Sequence, residues 1–329
     1  MSGFYFFVGK GGVGKTTCAA AFAINAAEAG LKVLIVSLDP AHNLGDVLGV
    51  ELGEKPREVL PGLYASEIDF DRMIQEHLRR LSDEVKDIYG YLRVFNLEGY
   101  IDVLRNSPGV EEYATLEKVM EIVKACEEGG RYDLVVFDTP PTGLTVRVMA
   151  LPTVSLIWLD KLMDLRLEIL GRRRAVKKVT GEVGRVRIGG REFKLATEPE
   201  EDPIYRELAK MRVDVGFLNK LLTDPGRTSV VMVVNPELLP LLEAERAFRF
   251  LKRVGVPVKY LVINKVLKLP HPLPELRVRI EQQEESLRRA AELFKGLKVV
   301  EVPLIPEEPR GINALRRFKE YLKDISLQP

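Results

Sequence analysis

A short unbroken apolar run, residues 4–8, leads directly into Gly9-Lys10-Gly11-Gly12-Val13-Gly14-Lys15-Thr16-Thr17, and this in turn into an alanine-rich stretch closed by Gly30. Few folds accommodate that order. The apolar run suits a strand buried on both faces, the glycines a tight loop, and the alanines a helix over 16–29. A second apolar run at 32–37 completes a strand–loop–helix–strand unit, the opening of a parallel sheet. The loop satisfies GxxxxGK[ST] in the context its chemistry requires. Glycines let backbone N–H groups turn toward phosphate oxygens, and the helix N-terminus adds positive potential. Lys15 reaches the β- and γ-phosphates, and the Thr16 hydroxyl ligates Mg2+.

The same residues also fit GxGxxG, with Asp39 at the next strand end in the place of a ribose-binding acid. Lys15 and Thr16 argue against that dinucleotide reading, since such a loop needs neither, while a magnesium-bound triphosphate needs both. Lys10 is read as approaching bound phosphate, with a solvated surface lysine as the alternative.

Two acidic strand ends accompany the loop. Asp39-Pro40-Ala41-His42-Asn43-Leu44-Gly45-Asp46 follows the second strand, and Asp138-Thr139-Pro140-Pro141-Thr142-Gly143 follows the apolar run 134–137. A carboxylate beside a phosphate loop can hold Mg2+ or its waters, which assigns Asp39 and Asp138 to the metal side. Asp46 is assigned to activating the attacking water, the alternative being a cap on the following turn. His42 fits a structural role as readily as a chemical one. Gly143 is expected to hinge so that the loop senses the γ-phosphate.

Further apolar runs at 230–234, 260–263 and 299–304 alternate with helical spacing at 238–254 and 278–294. The expected fold is therefore a doubly wound, mostly parallel α/β sheet, a P-loop NTPase core within one domain of 329 residues. An inserted helical subdomain is expected from about 66–107 and 151–222. It would hold helices over 68–104 ended by the turn at Asn106-Ser107-Pro108-Gly109, an apolar run at 156–170, and a stripe at Ile204, Leu208, Met211, Val215, Leu218 and Leu222. Between the latter two lie the basic cluster Arg172-Arg173-Arg174 and Lys177-Lys178, a hairpin near Gly189-Gly190, and an acidic loop at 198–203.

Composition narrows the partners. With 49 basic and 48 acidic residues the net charge is +1, so no global field draws the chain to nucleic acid or an anionic membrane. Nucleic acid is not expected as a partner. Cys18 and Cys126 are the only cysteines, too few for a disulfide framework or a four-cysteine zinc site, and a reducing compartment fits. The first residues show no basic segment followed by a long apolar stretch and a cleavage site, and no run of 18 apolar residues occurs. A cytoplasmic protein is expected.

Together the motifs resemble the arsenical pump-driving ATPase family and its close relatives that target tail-anchored membrane proteins. The resemblance covers nearly the whole chain. Residues 9–17 look like the family's modified Walker A loop. Residues 39–43 with Asp46 look like its first switch, whose last aspartate is the family's catalytic base. Residues 138–143, with Thr145 and Arg147, look like its second switch, and Pro108-Gly109-Val110-Glu111-Glu112 is similar to another family loop. Glu237 before residues 243–246, Asn264, and the segment 303–311 with Pro306 look like its nucleotide-binding segments. The resemblance implies that ATP and Mg2+ are bound, that Asn264 recognises adenine, and that Glu237 contacts nucleotide across a homodimer. It also implies that Lys10 and Lys15 act on the phosphates, Lys10 reaching toward the partner's, and that the dimer closes on ATP and opens after hydrolysis.

Departures from the family pattern shape the choice of cargo. Pro140 and Leu144 stand where targeting relatives usually carry Ala and His. No Cys-x-x-Cys follows Asn264 to clip two subunits through zinc, and the cysteine triad of an arsenite-responsive pump is absent. Soft As(III) prefers thiolates, so the leading expectation is a targeting factor whose helical insertion, with Met163 and Met211, receives an apolar transmembrane segment and meets a membrane receptor. Ordinary core packing of those stripes is the alternative for the segments alone. The catalytic subunit of an arsenite efflux pump is the second reading. A partitioning or septum-site ATPase is the third, and it would need a membrane helix such as 315–322, a segment that suits a packed terminal helix better.

Overall fold

The computed structural model describes residues 2–41, 43–88, 107–188, 191–268 and 274–329. His42, residues 89–106 of the expected helices and their turn, and the Gly189-Gly190 turn lie outside the described residues. The strands are β1 Gly3–Gly9, β2 Val33–Ser37, β3 Arg57–Leu60, β4 Leu63–Glu67, β5 Leu134–Asp138, β6 Arg185–Ile188, β7 Arg191–Lys194, β8 Thr228–Val234, β9 Val258–Val266 and β10 Lys298–Pro303. All but β6 and β7 join one eight-stranded sheet in the order β10-β9-β8-β1-β5-β2-β4-β3. Its neighbours pair in parallel except β3 with β4. The helices are α1 Lys15–Glu28, α2 Leu44–Leu48, α3 Phe70–Ile88, α4 Val110–Gly129, α5 Thr142–Thr180, α6 Pro203–Thr223, α7 Leu238–Arg253, α8 Arg277–Leu293 and α9 Ile312–Phe318.

Close contacts divide the chain into two compact units. One comprises Met1–Met73, Thr115–Met149 and Leu221–Pro329, and the other Ile74–Ala114 and Ala150–Lys220. The first holds the eight-stranded sheet and is called the sheet unit; the second is mainly helical.

In the sheet unit the central strands are continuous apolar runs because both faces are covered. Tyr5, Phe7, Ile35, Val136 and Val231 join the core on the α1 side. Phe6 points the other way and stacks on Phe137 with ring centroids 4.7 Å apart. Helix α1 is buried all round from Cys18 to Ile24. Its alanines suit that position, since Leu315, Phe318, Leu322 and Ile325 of the C-terminal segment fill the same core. The segment 315–322 is thus a packed element with Leu315, Phe318 and Leu322 inside, and Arg316 and Lys319 both pair with Glu28 at the end of α1.

Two features differ from the sequence expectation. The β3–β4 hairpin had no clear pattern, because an edge strand has one open side and tolerates charges such as Arg57 and Glu58. The apolar run and the basic cluster, expected as separate segments, belong to a single 39-residue helix, α5, that continues past Pro152. Its basic residues fall toward the C-terminal end, where they complement the helix dipole, and Arg172 and Arg174 pair with Glu168 and Glu198. By length and composition α5 also contains a stretch apolar enough to cross a membrane, although Arg147 and Arg166 lie along the helix and part of the stretch is buried.

The helical unit is pinned by an ion pair between α5 and the start of α6. Arg166 donates to both carboxylate oxygens of Asp202, at 2.9 and 2.6 Å, and Asp202 also accepts the Tyr205 N–H at 2.8 Å. Burial by itself would raise the Asp202 pKa. The Arg166 hydrogen bonds, the Tyr205 N–H and the charges of Arg166 and Arg173 outweigh it and hold the carboxyl below the usual range. A folded-state pKa below the unfolded one gives stability that is complete above the unfolded value and disappears as pH falls through the folded value. Asp202→Asn is expected to destabilise the protein by about 3 kcal/mol, because Arg166 loses its buried partner. Urea unfolding at neutral pH checks the loss, and the gap between variant and parent should close in acid.

Candidate functional site

The glycine loop leaves the carboxyl end of β1 where the sheet changes direction. Strands β5, β2, β4 and β3 lie to one side of β1, and β8, β9 and β10 to the other. Open α/β sheets bind ligands at that point. A cleft of about 720 Å³ opens there, lined by Lys10, Gly11, Gly12, Gly14, Lys15, Thr16 and Thr17 from the loop. Asp39, Asn43, Asp46 and Asn264 line it from the surrounding elements. A volume of that order suits a nucleotide-sized ligand.

At the floor of the cleft a buried ammonium sits between two carboxylates. Lys15 Nζ donates to Asp39 Oδ2 at 2.8 Å and lies 3.5 Å from Asp138 Oδ1. The Thr16 hydroxyl donates to Asp138 Oδ2 at 2.8 Å, and the Ser37 hydroxyl reaches the same oxygen at 3.3 Å. Strand register makes the cluster: Asp138 at the end of β5 lies beside Phe7 of β1 and Ser37 of β2. One positive and two negative charges leave a net negative charge in a place with little water. Burial pushes the Asp138 carboxyl above its usual range, opposed by Lys15 and by the Thr16 hydrogen bond. Asp138 Oδ1 is buried with no hydrogen-bond partner. Oxygen donors, surplus negative charge and an unsatisfied carboxylate oxygen are what a hard divalent cation needs, so these residues fit Mg2+.

The segment 39–46, expected as a first switch, reaches the cleft at Asp39, Asn43 and Asp46. Asp46 is exposed in the first turn of that helix and Asn43 precedes it. Asp39 Oδ1 accepts the Ala41 N–H at 3.1 Å, which orders the turn, while Pro40 points to solvent. In the segment 138–143, expected as a second switch, the Thr139 N–H and hydroxyl both donate to the Phe7 carbonyl, so this residue anchors the turn to β1 and does not line the cleft. Gly143, expected as a loop hinge, lies inside the first turn of α5.

The remaining candidates are spread more widely. Lys10 is exposed and pairs with Glu243 of the same chain at 3.6 Å. Asn264 is buried against the loop, donating to the Val13 carbonyl at 2.7 Å. Gly9 and Val13 are buried behind the loop. Glu237 precedes α7 and lines a separate cleft of about 1230 Å³ that shares Lys265 and Leu304 with the first. Pro306 is exposed between Ile305 and Glu307, which do line the 720 Å³ cleft.

Sequence reasoning missed three residues that hold this site. Ser37 touches Asp138, Glu67 accepts the Gly45 N–H at 2.9 Å beside Asp46, and Lys265 donates to the Gly12 carbonyl at 2.9 Å. Only for Ser37 was there a signal, its i,i+2 relation to Asp39 at a strand end. Glu67 and Lys265 come from distant strands through sheet order.

Residues 2–324 match the family model described as anion-transporting ATPase. The protein "ATPase get3" of Schizosaccharomyces pombe is 31% identical over 323 residues, covering 96% of this chain and 90% of its own. Its namesake in Schizosaccharomyces japonicus is 32% identical, with 96% and 91% covered. "ATPase GET3" of Ajellomyces dermatitidis is 31% identical over 329 residues, covering 98% and 91%.

Gly14 tests how closely the loop is held. Its φ is +90°, and a Cβ there would sit 2.3 Å from Asn264 Nδ2. Gly14→Ala is expected to lower stability by about 1–3 kcal/mol and to abolish nucleotide uptake. Thermal unfolding and calorimetric titration with ADP measure the two effects, and normal ADP uptake by the variant would contradict this account of the loop.

Proposed function

The chain belongs to the anion-transporting ATPase family, and we propose that its ATP hydrolysis drives the capture and delivery of tail-anchored membrane proteins. ATPase activity follows from the family and from relatives named as ATPases. In our reading ATP enters the 720 Å³ cleft with its phosphates on residues 9–17. Lys15 would turn from Asp39 toward the β- and γ-phosphates, while Thr16, Asp39 and Asp138 would hold Mg2+ directly or through water. Bound Mg2+ neutralises charge that develops on the phosphates. Asp46 takes the proton of the water that attacks the γ-phosphorus as ADP leaves, and the Glu67–Gly45 hydrogen bond keeps α2 in place for it. Asn264 faces the adenine, with Pro306 in the adjoining segment. Lys10 and Glu237 serve across a homodimer, Lys10 leaving Glu243 for the partner's phosphates when the dimer closes.

The observation that carries the targeting reading is a row of exposed apolar side chains in the helical unit. Val154, Trp158, Leu162 and Leu165 recur at helical spacing along α5, with Trp158 65% and Leu165 54% exposed. On α6, Met211, Val213 and Phe217 are exposed as well. Met163 is half-buried. Core packing does not account for side chains left in solvent. An extended apolar stripe of this kind suits an apolar transmembrane helix laid along it, in the cytosol before handover to a membrane receptor. The arsenite-pump reading has less support. Cys18 and Cys126 are both buried, and burial pushes their thiols up to about 12 and about 11, which disfavours the thiolates that As(III) needs.

Asp46→Asn is expected to keep ADP affinity while turnover falls by about two orders of magnitude or more; turnover equal to the parent's would remove Asp46 from its role. The paired substitution Trp158→Glu and Leu162→Glu should abolish co-purification of an apolar tail segment, with the thermal midpoint held because both sites are exposed. Arsenite should leave ATP turnover unaltered. Stimulation by arsenite without tail capture would favour the pump instead.

A further inference from the structure

Strand β9 carries a fault at the point where it meets the phosphate loop. Between Ile263 and Val266 its pairing with β10 slips, three steps on β9 against two from Glu301 to Pro303. The extra residue is a β-bulge, and Lys265 within it has φ +62°, the only positive φ at a non-glycine position among the described residues. A left-handed residue in a bulge is ordinarily glycine, and a residue with a side chain there is strained. Sheet pairing alone would be better served by glycine.

What the lysine adds is contact with the loop. Its Nζ donates to the Gly12 carbonyl at 2.9 Å, and its N–H donates to Asn264 Oδ1 at 2.9 Å. The amide of Asn264, so oriented, donates to the Val13 carbonyl at 2.7 Å. Two successive loop carbonyls are thus held by two successive residues of β9. In a trans peptide the carbonyl and the following N–H point to opposite sides. Holding the oxygens of Gly12 and Val13 therefore fixes the N–H groups of Val13 and Gly14 in the opposite direction. Lys265 also lines the phosphate cleft.

We infer that Lys265 is a positioning residue for the phosphate loop, anchoring the Gly12 carbonyl so that the loop N–H groups are set for phosphate before nucleotide arrives. The inference rests on the reading of the 720 Å³ cleft as the nucleotide site. Without the anchor the loop must be ordered at the moment of binding, so the loss should fall on affinity.

The test is calorimetric titration of the full chain with ADP, alongside steady-state ATP turnover and thermal unfolding. Lys265→Met should weaken ADP binding about tenfold, the scale of one charge-assisted hydrogen bond, with the change in turnover carried by KM and not kcat. Lys265→Arg, which keeps a cationic donor, should recover most of the affinity. Lys265→Gly separates anchor from strain. It should raise the thermal midpoint above that of Lys265→Met by relieving the backbone, yet bind ADP no better than Lys265→Met. ADP affinity within twofold of the parent in both Lys265→Met and Lys265→Gly would overturn the inference. A parent protein that takes up no ADP would instead sink the nucleotide reading, and the inference with it.

Discussion

One buried ammonium between two carboxylates organises this protein. Lys15 is shared by Asp39 and Asp138 at the carboxyl ends of the central strands, and the cluster is left one negative charge in excess. Burying such a cluster without further compensation is unfavourable, and the unsatisfied Asp138 Oδ1 marks where the deficit is felt. A divalent cation and a polyphosphate together would redistribute those charges, the metal taking the carboxylates and the phosphates taking the lysine. Under the proposed function, Lys15, Asp39 and Asp138 hold one another through the same groups that would meet the metal and the phosphates.

The rest of the sheet unit can be understood as support for that cluster. Helix α1 must bring its N-terminus to the carboxyl end of β1, and its alanines let it lie buried between the sheet and the C-terminal segment. Loop backbone is steadied from β9, whose bulge aims Asn264 and Lys265 at consecutive carbonyls. Glu67 at the end of β4 steadies α2, which carries Asp46, by its bond to Gly45. Each support arrives from a different strand, so the site depends on strand order as much as on any motif.

The helical unit follows a different rule. Its polar contacts are strong and local, as in the Arg166–Asp202 pair, while large apolar side chains along α5 and α6 stay in solvent. A fold that keeps Trp158 and Leu165 exposed forgoes burial that would stabilise it, and the proposed capture of an apolar segment rests on that exposure. That contrast separates a sheet unit with its apolar strands buried from a helical unit with large apolar side chains in solvent.

The chain's own order of residues determined the parallel core and the phosphate loop, because period-free apolar runs, glycines at fixed offsets and an alanine helix are local physical requirements. It also marked Asp39 and Asp138 at the ends of recognisable strands, with Asp46 a few residues after the first. The β3–β4 edge and the continuity of α5 were not legible, because edge strands and surface helices have mixed patterns that local reading divides wrongly. Nor could sequence tell whether the stripes at 156–170 and 204–222 were core or surface, since helical spacing is the same for both. Only the tertiary structure decided that, and only it joined Ser37, Glu67 and Lys265 to the site: hydrogen bonds between strands far apart in the chain are set by register and sheet order, which no local run of residues encodes.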